Sequence, residues 1–193
     1  MPNCVNEYYT FKGGFSVYTL RVINPYFSNC FNCKIRVHSV IWVAPLKLDT
    51  AGHFVLGLSM KSPMVNHDAK YIMHMMKEVK HLPADAIEMY SKFYREFQQR
   101  DFDLDTNKKL FDWLAKQTYF ALGNMMTAVA LTEIDSCPIE GFYQEKAEAL
   151  LKEKFGVDTD KYGLSFMVAF DYIKADAAHE KSRKEFKNIV TLK

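Results

Sequence analysis

Apolar positions divide the chain into strand-like segments near its start and a long helical middle. Over residues 16–23, Tyr18, Leu20 and Val22 alternate with Thr19 and Arg21, the period of two that predicts a strand, and Asn24-Pro25 ends it. Residues 35–43 are weakly strand-like, and residues 53–60 form a short apolar run of strand length. The period then changes. Ile72, Met75, Met76 and Val79 stand at i, i+3, i+4 and i+7, which predicts a helix with Lys70, Lys77 and Glu78 on its solvated side. Pro83 suits the first turn of the next helix, where Ala86, Tyr90, Phe93 and Phe97 make an apolar stripe and Lys92, Arg95 and Glu96 face water. Residues 119–131 are apolar almost all round, which places that helix at the centre of the molecule or at a subunit interface. Residues 143–155 read as a short amphipathic helix stopped by Gly156, residues 164–170 as a buried strand and residues 189–192 as a last edge strand. Strands first, then several helices, then a strand predict an α+β fold, a mixed sheet flanked by helices, rather than a regular βαβ series.

Composition narrows the function classes. A chain of 193 residues, 49% apolar and 25% charged, fits one globular domain spanning residues 1–193. Net charge of +2 argues for neither a nucleic-acid partner nor an anionic membrane. No charged-then-apolar leader pattern opens the sequence, and no apolar run reaches the roughly 20 residues needed to span a bilayer, so the expected location is the cytoplasm. Cys4, Cys30, Cys33 and Cys137 do not form a secreted disulfide framework. Cys30 and Cys33 make a CxxC, whose zinc or dithiol reading would need further ligands, and Cys4 and His38 are irregularly spaced candidates. His67-Asp68 and the other histidines show no metal or triad spacing, and no Gly-rich dinucleotide loop, P-loop or GxSxG is present.

Two segments carry candidate chemistry. In Asp135-Ser136-Cys137-Pro138-Ile139-Glu140-Gly141-Phe142, Pro138 fixes its own φ and pushes Cys137 out of the helical region. Gly141 permits a close approach or a positive φ, so the peptides of Ile139 and Glu140 are held in one orientation. Such fixed N–H groups suit the edge of a planar, electron-accepting ring; the bland alternative is an ordinary helix-to-loop turn. Cys137 has no identifiable base partner and reads as a packing residue. Near the C-terminus, Lys181 and Arg183 share a face if the chain is extended, as a phosphate grip or as part of a solvated tail.

The helix Phe111-Asp112-Trp113-Leu114-Ala115-Lys116-Gln117-Thr118-Tyr119-Phe120-Ala121-Leu122-Gly123-Asn124-Met125-Met126, the Pro-Ile-Glu-Gly-Phe turn and Lys181-Ser182-Arg183 together resemble the flavin-dependent nitroreductase family. The resemblance covers residues 42–193 and is strongest over 103–142. It implies bound FMN, NAD(P)H as co-substrate and a homodimer packed on residues 119–131. The implied reaction is ping-pong hydride transfer to nitroaromatics, quinones or flavins, a small aromatic or quinone-like substrate class, with the flavin carrying the chemistry and no catalytic side chain or metal. By the resemblance, Lys181 and Arg183 grip the FMN phosphate. The backbone of Pro138, Ile139, Glu140 and Gly141 lies against the flavin ring near N5. Gln117 reaches the flavin of the partner subunit, and Lys47 aligns with a lysine near the flavin or nicotinamide. The chain departs from the family over residues 1–41, which look divergent or truncated and lack the Arg-x-Ser and Pro-Ser-Ser segments, and at Asp171, where relatives carry glycine. The alternative reading is therefore a degenerate nitroreductase-like dimer that binds flavin weakly or not at all.

Overall fold

The computed structural model describes residues 7–13, 16–23, 51–173, 180 and 182–192, with side chains described from residue 51 onward. Five strands, β1 (Glu7–Gly13), β2 (Ser16–Ile23), β3 (His53–Met60), β4 (Ile134–Ile139) and β5 (Tyr162–Tyr172), form one sheet in the order β1-β2-β3-β5-β4. The helices are α1 (Ser62–Val65), α2 (Lys70–His74), α3 (Ala84–Glu96), α4 (Asn107–Ala130) and α5 (Gln144–Phe155). The fold is α+β as expected, and its described strand pairs are all antiparallel, which refines the expected mixed sheet. β2, β3 and β5 lie where the apolar pattern placed them. The predicted strand over residues 35–43 lies outside the described residues.

Each face of the central strands has its own helix. Phe54, Leu56 and Leu58 of β3, with Leu164, Met167 and Ala169 of β5, pack on Ala147, Leu151 and Phe155 of α5. Val55, Phe166 and Val168 point the other way, toward Leu122 of α4. Leu164 and Met167 share a face although they are three apart, against the period of two. The register explains this. Gly57 pairs with Phe166 and Leu58 with Leu164, so Ser165 bulges out of the ladder. Its hydroxyl bonds the buried Ser59 hydroxyl at 2.8 Å. Gly57 is required here, because a Cβ would sit 2.3 Å from the fully buried Phe166 ring.

α4 starts at Thr106, whose side chain accepts from the Lys109 amide at 3.2 Å, an N-cap. It buries Leu110, Leu114, Thr118 and Leu122, one position in four. Another side of the same helix leaves Phe120 69% exposed and Leu131, just past its end, 86% exposed. α5 ends as predicted at Gly156, in the left-handed region at φ 60°.

Four expectations are corrected. Tyr94 of α3 and Gln98 of the turn that follows it are buried and Ile87 is half-buried, whereas Tyr90 and Phe93 of the expected stripe are exposed, Phe93 by 61%. The polar side chains win that face because Tyr94 and Gln98 both donate to the Val65 carbonyl, at 3.2 and 2.8 Å. Ile72 and Met76 of the preceding helical segment are buried as predicted, but Val79 is not. That segment and α3 both widen into a π turn, Met75–Val79 and Phe97–Asp101, and stop at a left-handed residue, His81 (φ 50°) and Asp103 (φ 51°). Residues 189–192 are not a strand: a 3-10 turn, Phe186–Asn188, precedes them and they are exposed. Asp171, where relatives carry glycine, pairs with Asp135 within extended β5, a backbone that needs no glycine.

Candidate functional site

After α4 the chain turns and enters β4, which pairs Cys137 with Ala169, Pro138 with Val168 and Ile139 with Met167. Most of the predicted turn is thus an edge strand, a place where a residue without an N–H is tolerated. The turn proper is residues 140–142, closed by the Phe142 amide donating to the Glu140 carbonyl at 3.0 Å. Ile139 is 2% exposed, Gly141 is buried and Phe142 packs on the α5-side core. Glu140 is exposed between these anchors, so its peptide is held while its side chain reaches outward. Cys137 packs on the same core, as its packing reading required.

The residue that sequence reasoning missed is Tyr119. Its hydroxyl donates to the Ser165 carbonyl at 3.2 Å, the carbonyl of the bulge residue. Its ring meets Phe166 edge-on, with centroids 5.8 Å apart. Burial, and then hydrogen bonding and charge from the Glu140 carboxylate, push the phenol up to about 12. The available signal was a tyrosine inside an apolar helix, since a phenol so placed needs a polar partner.

Among the described residues, Gln117 and Arg183 are the other expected site residues. Gln117 is half-buried on α4. Two positions along a helix turn a side chain by roughly 200°, so Gln117 leaves α4 on a different side from Tyr119. Arg183 is exposed on an irregular stretch, and its guanidinium approaches the Ser182 carbonyl at 3.5 Å. Lys181, Lys47 and the CxxC lie outside the described residues. Beyond the end of β3 and the start of β5, a cleft of about 420 Å³ is lined by Lys61, Ser62, Asn107, Lys108 and Phe111 among others. Within it the Ser62 hydroxyl donates to Asn107, and Lys61 is drawn to Glu148 outside the lining, both at 2.7 Å. Among the described residues no His, Cys, Asp and Glu cluster could hold a metal, and no helix is long and apolar enough to cross a membrane.

Comparison with known proteins agrees with the resemblance. The profile of the Nitroreductase family matches residues 64–172. "Putative NAD(P)H nitroreductase YfkO" of Bacillus subtilis (strain 168) is 41% identical over 161 residues, 83% of this chain and 72% of that protein. A Staphylococcus aureus (strain bovine RF122 / ET3-1) protein, also named an NAD(P)H nitroreductase with the same qualifier, is 40% identical over 158 residues, 81% of this chain and 69% of that one. Among solved structures, ydfN of Bacillus subtilis, described as a nitroreductase, aligns with TM-score 0.66 at 14% identity, covering 91% of this chain and 77% of that one. A nitroreductase from Exiguobacterium sibiricum 255-15, described as a complex with FMN, aligns with TM-score 0.59 at 14% identity, covering 90% and 76%. The two structures share the fold, and the sequence relatives establish kinship: this chain belongs to the nitroreductase family, a family of oxidoreductases.

Proposed function

We propose that this protein is an FMN-dependent oxidoreductase that uses NAD(P)H to reduce nitroaromatics, quinones or flavins, as a homodimer of single-domain subunits in the cytoplasm. The observation that carries the reading is the turn over residues 140–142, held rigid at the sheet edge between buried Ile139 and half-buried Phe142. The residues present fit a flavin mononucleotide. An anchored backbone turn suits the rim of a planar ring, and the exposed guanidinium of Arg183 suits a phosphate dianion. FMN would supply hydride acceptance and donation. The chain would bind and orient it: Pro138, Ile139, Glu140 and Gly141 against the ring, Lys181 and Arg183 on the phosphate, Lys47 beside the ring or nicotinamide, and Gln117 from the partner subunit.

The exposed apolar side of α4, with Phe120 and Leu131, supports a dimer in which a second copy covers it and the slot for a flat substrate is shared. An absorbance spectrum of the purified protein and a calorimetric titration with FMN test the reading. Flavin bands with stoichiometric uptake support it. Failure to bind FMN at millimolar concentration would sink it and leave the degenerate, flavin-poor dimer in its place.

A further inference from the structure

β4 ends at Ile139, whose partner on β5 is Met167, so among the described residues no strand flanks that edge of β5 before Met167. Leu164 lies on the unflanked stretch and is 1% exposed, and a buried carbonyl there needs a donor from elsewhere. Gln144, the first residue of α5, supplies it: its Nε2 donates to the Leu164 carbonyl at 3.0 Å. The same Nε2 donates to Glu148 Oε1 at 2.9 Å, one turn further along α5. Glu148 Oε2 in turn accepts from Lys61 Nζ at 2.7 Å, on the residue that follows β3. Both partners of Gln144 only accept, so its two amide hydrogens are both used and its orientation is fixed. Residues 140–143 are therefore clamped to β5 at both ends. Ile139 holds the entry through its pair with Met167, and the Gln144 amide holds the exit on Leu164.

We propose that Gln144 is a positioning residue for the cofactor turn: by fixing the exit of residues 140–143 on β5, it sets the orientation of the Glu140 and Gly141 peptides toward the flavin. Glu148, steadied by Lys61, keeps the Gln144 amide in place. The inference rests on the flavin reading above, but it has its own readout in the protein without cofactor. Gln144 is exposed, so without its two acceptors the side chain would sample several rotamers and the exit of the turn would gain freedom. The role needs no proton transfer. Gln144 would touch neither cofactor nor substrate and would act through the turn.

The test compares wild type, Gln144→Leu, Glu148→Leu and the double variant by amide hydrogen exchange without FMN. Leucine suits an exposed helical position and removes only the amide, so the fold should be retained. Gln144→Leu should speed exchange at residues 140–144 about fivefold to tenfold, the loss of one net hydrogen bond, with far smaller changes elsewhere. Glu148→Leu should speed the same amides less, because the contact with Leu164 survives. The double variant should add little to Gln144→Leu, as members of one network do. Leu151→Ala, which loosens the packing of α5 as a whole, should instead raise exchange across the sheet. With FMN and NAD(P)H, Gln144→Leu should lower the flavin-reduction rate several-fold while KM for the nucleotide holds. Unchanged exchange at residues 140–144, a uniform rise across the sheet in Gln144→Leu, additive effects of the two substitutions, or an unchanged reduction rate would each overturn the proposal. Failure of the wild type to bind FMN would instead overturn the function proposed above, and the exchange result would still decide whether Gln144 holds the turn.

Discussion

The two helices that cover the sheet differ in how completely they are themselves covered. α5 lays Ala147, Leu151 and Phe155 on one face of β3 and β5 and turns Lys152, Glu153 and Lys154 to water, so its work is finished within one chain. α4 buries a narrow stripe on the other face and leaves Phe120 and Leu131 outside. A charged outer side marks a helix that ends the molecule, whereas an apolar outer side marks one that continues into something else. The second pattern suits an interface between two copies of the chain.

The contrast can be broken by substitution. Leu151→Ala on the closed side leaves a cavity in a packed layer and should cost about 2–5 kcal/mol. The loss should be independent of protein concentration in thermal melts, because no second copy is involved. Phe120→Glu on the open side should barely change the fold of the subunit, yet convert a dimer into monomers seen by light scattering. A compact wild-type monomer at micromolar concentration would end the distinction between the two helices.

If Arg183 grips the FMN phosphate as proposed, Arg183→Ala removes a charge-assisted contact worth about 1.5–3 kcal/mol, and FMN affinity in titration should fall roughly ten- to a hundredfold. Lys187, paired with Glu185 at 2.7 Å, is the control, and Lys187→Ala should do little. Equal and small effects would return the segment to a solvated tail.

The smallest effect is alkaline. The Tyr119 phenol has its proton held to about 12 in the folded chain, against 10.0 for an ordinary tyrosine. A raised folded value gives a contribution that is complete below pH 10 and is lost as pH climbs toward 12. Denaturant midpoints measured across that window should fall less steeply for Tyr119→Phe than for wild type. Tyr71 and Tyr94, raised by burial, should leave a residual slope in both.

Much of this was legible along the chain, and the misses have physical causes. β3 and the interior of β5 were visible because both faces are buried and both read as apolar runs. α5 was visible because its stop is glycine. The ends of α3 and of the segment before it were not, because His81 and Asp103 take the left-handed conformation without that marker, although both residue types favour it more than most. The α3 stripe was misplaced because periodicity counts apolar residues, while Gln98 and Tyr94 earned burial through one shared carbonyl. At the site, the Pro-Ile-Glu-Gly segment was evident, but its strand character depends on β5, about thirty residues later, and no local pattern encodes that. Ser165 had no sequence signal, since a bulge belongs to a pair of strands.

The contact between Ser59 and Ser165 joins residues 106 apart in the chain. Closing a loop of that length costs about 4 kcal/mol of chain entropy before any pairing is gained. The centre of the finished sheet is therefore its late event in time. The β1–β2 hairpin and the helices between β3 and β4 rest on local contacts and can form early, while β3 waits for β5 with an apolar edge unpaired. During synthesis β5 leaves the ribosome about a hundred residues after β3, so β3 must stay unpaired along that edge until residues 162–172 exist. Substitutions that speed or slow assembly should concentrate where these two strands meet, and stalling before residue 162 should leave a species prone to aggregate.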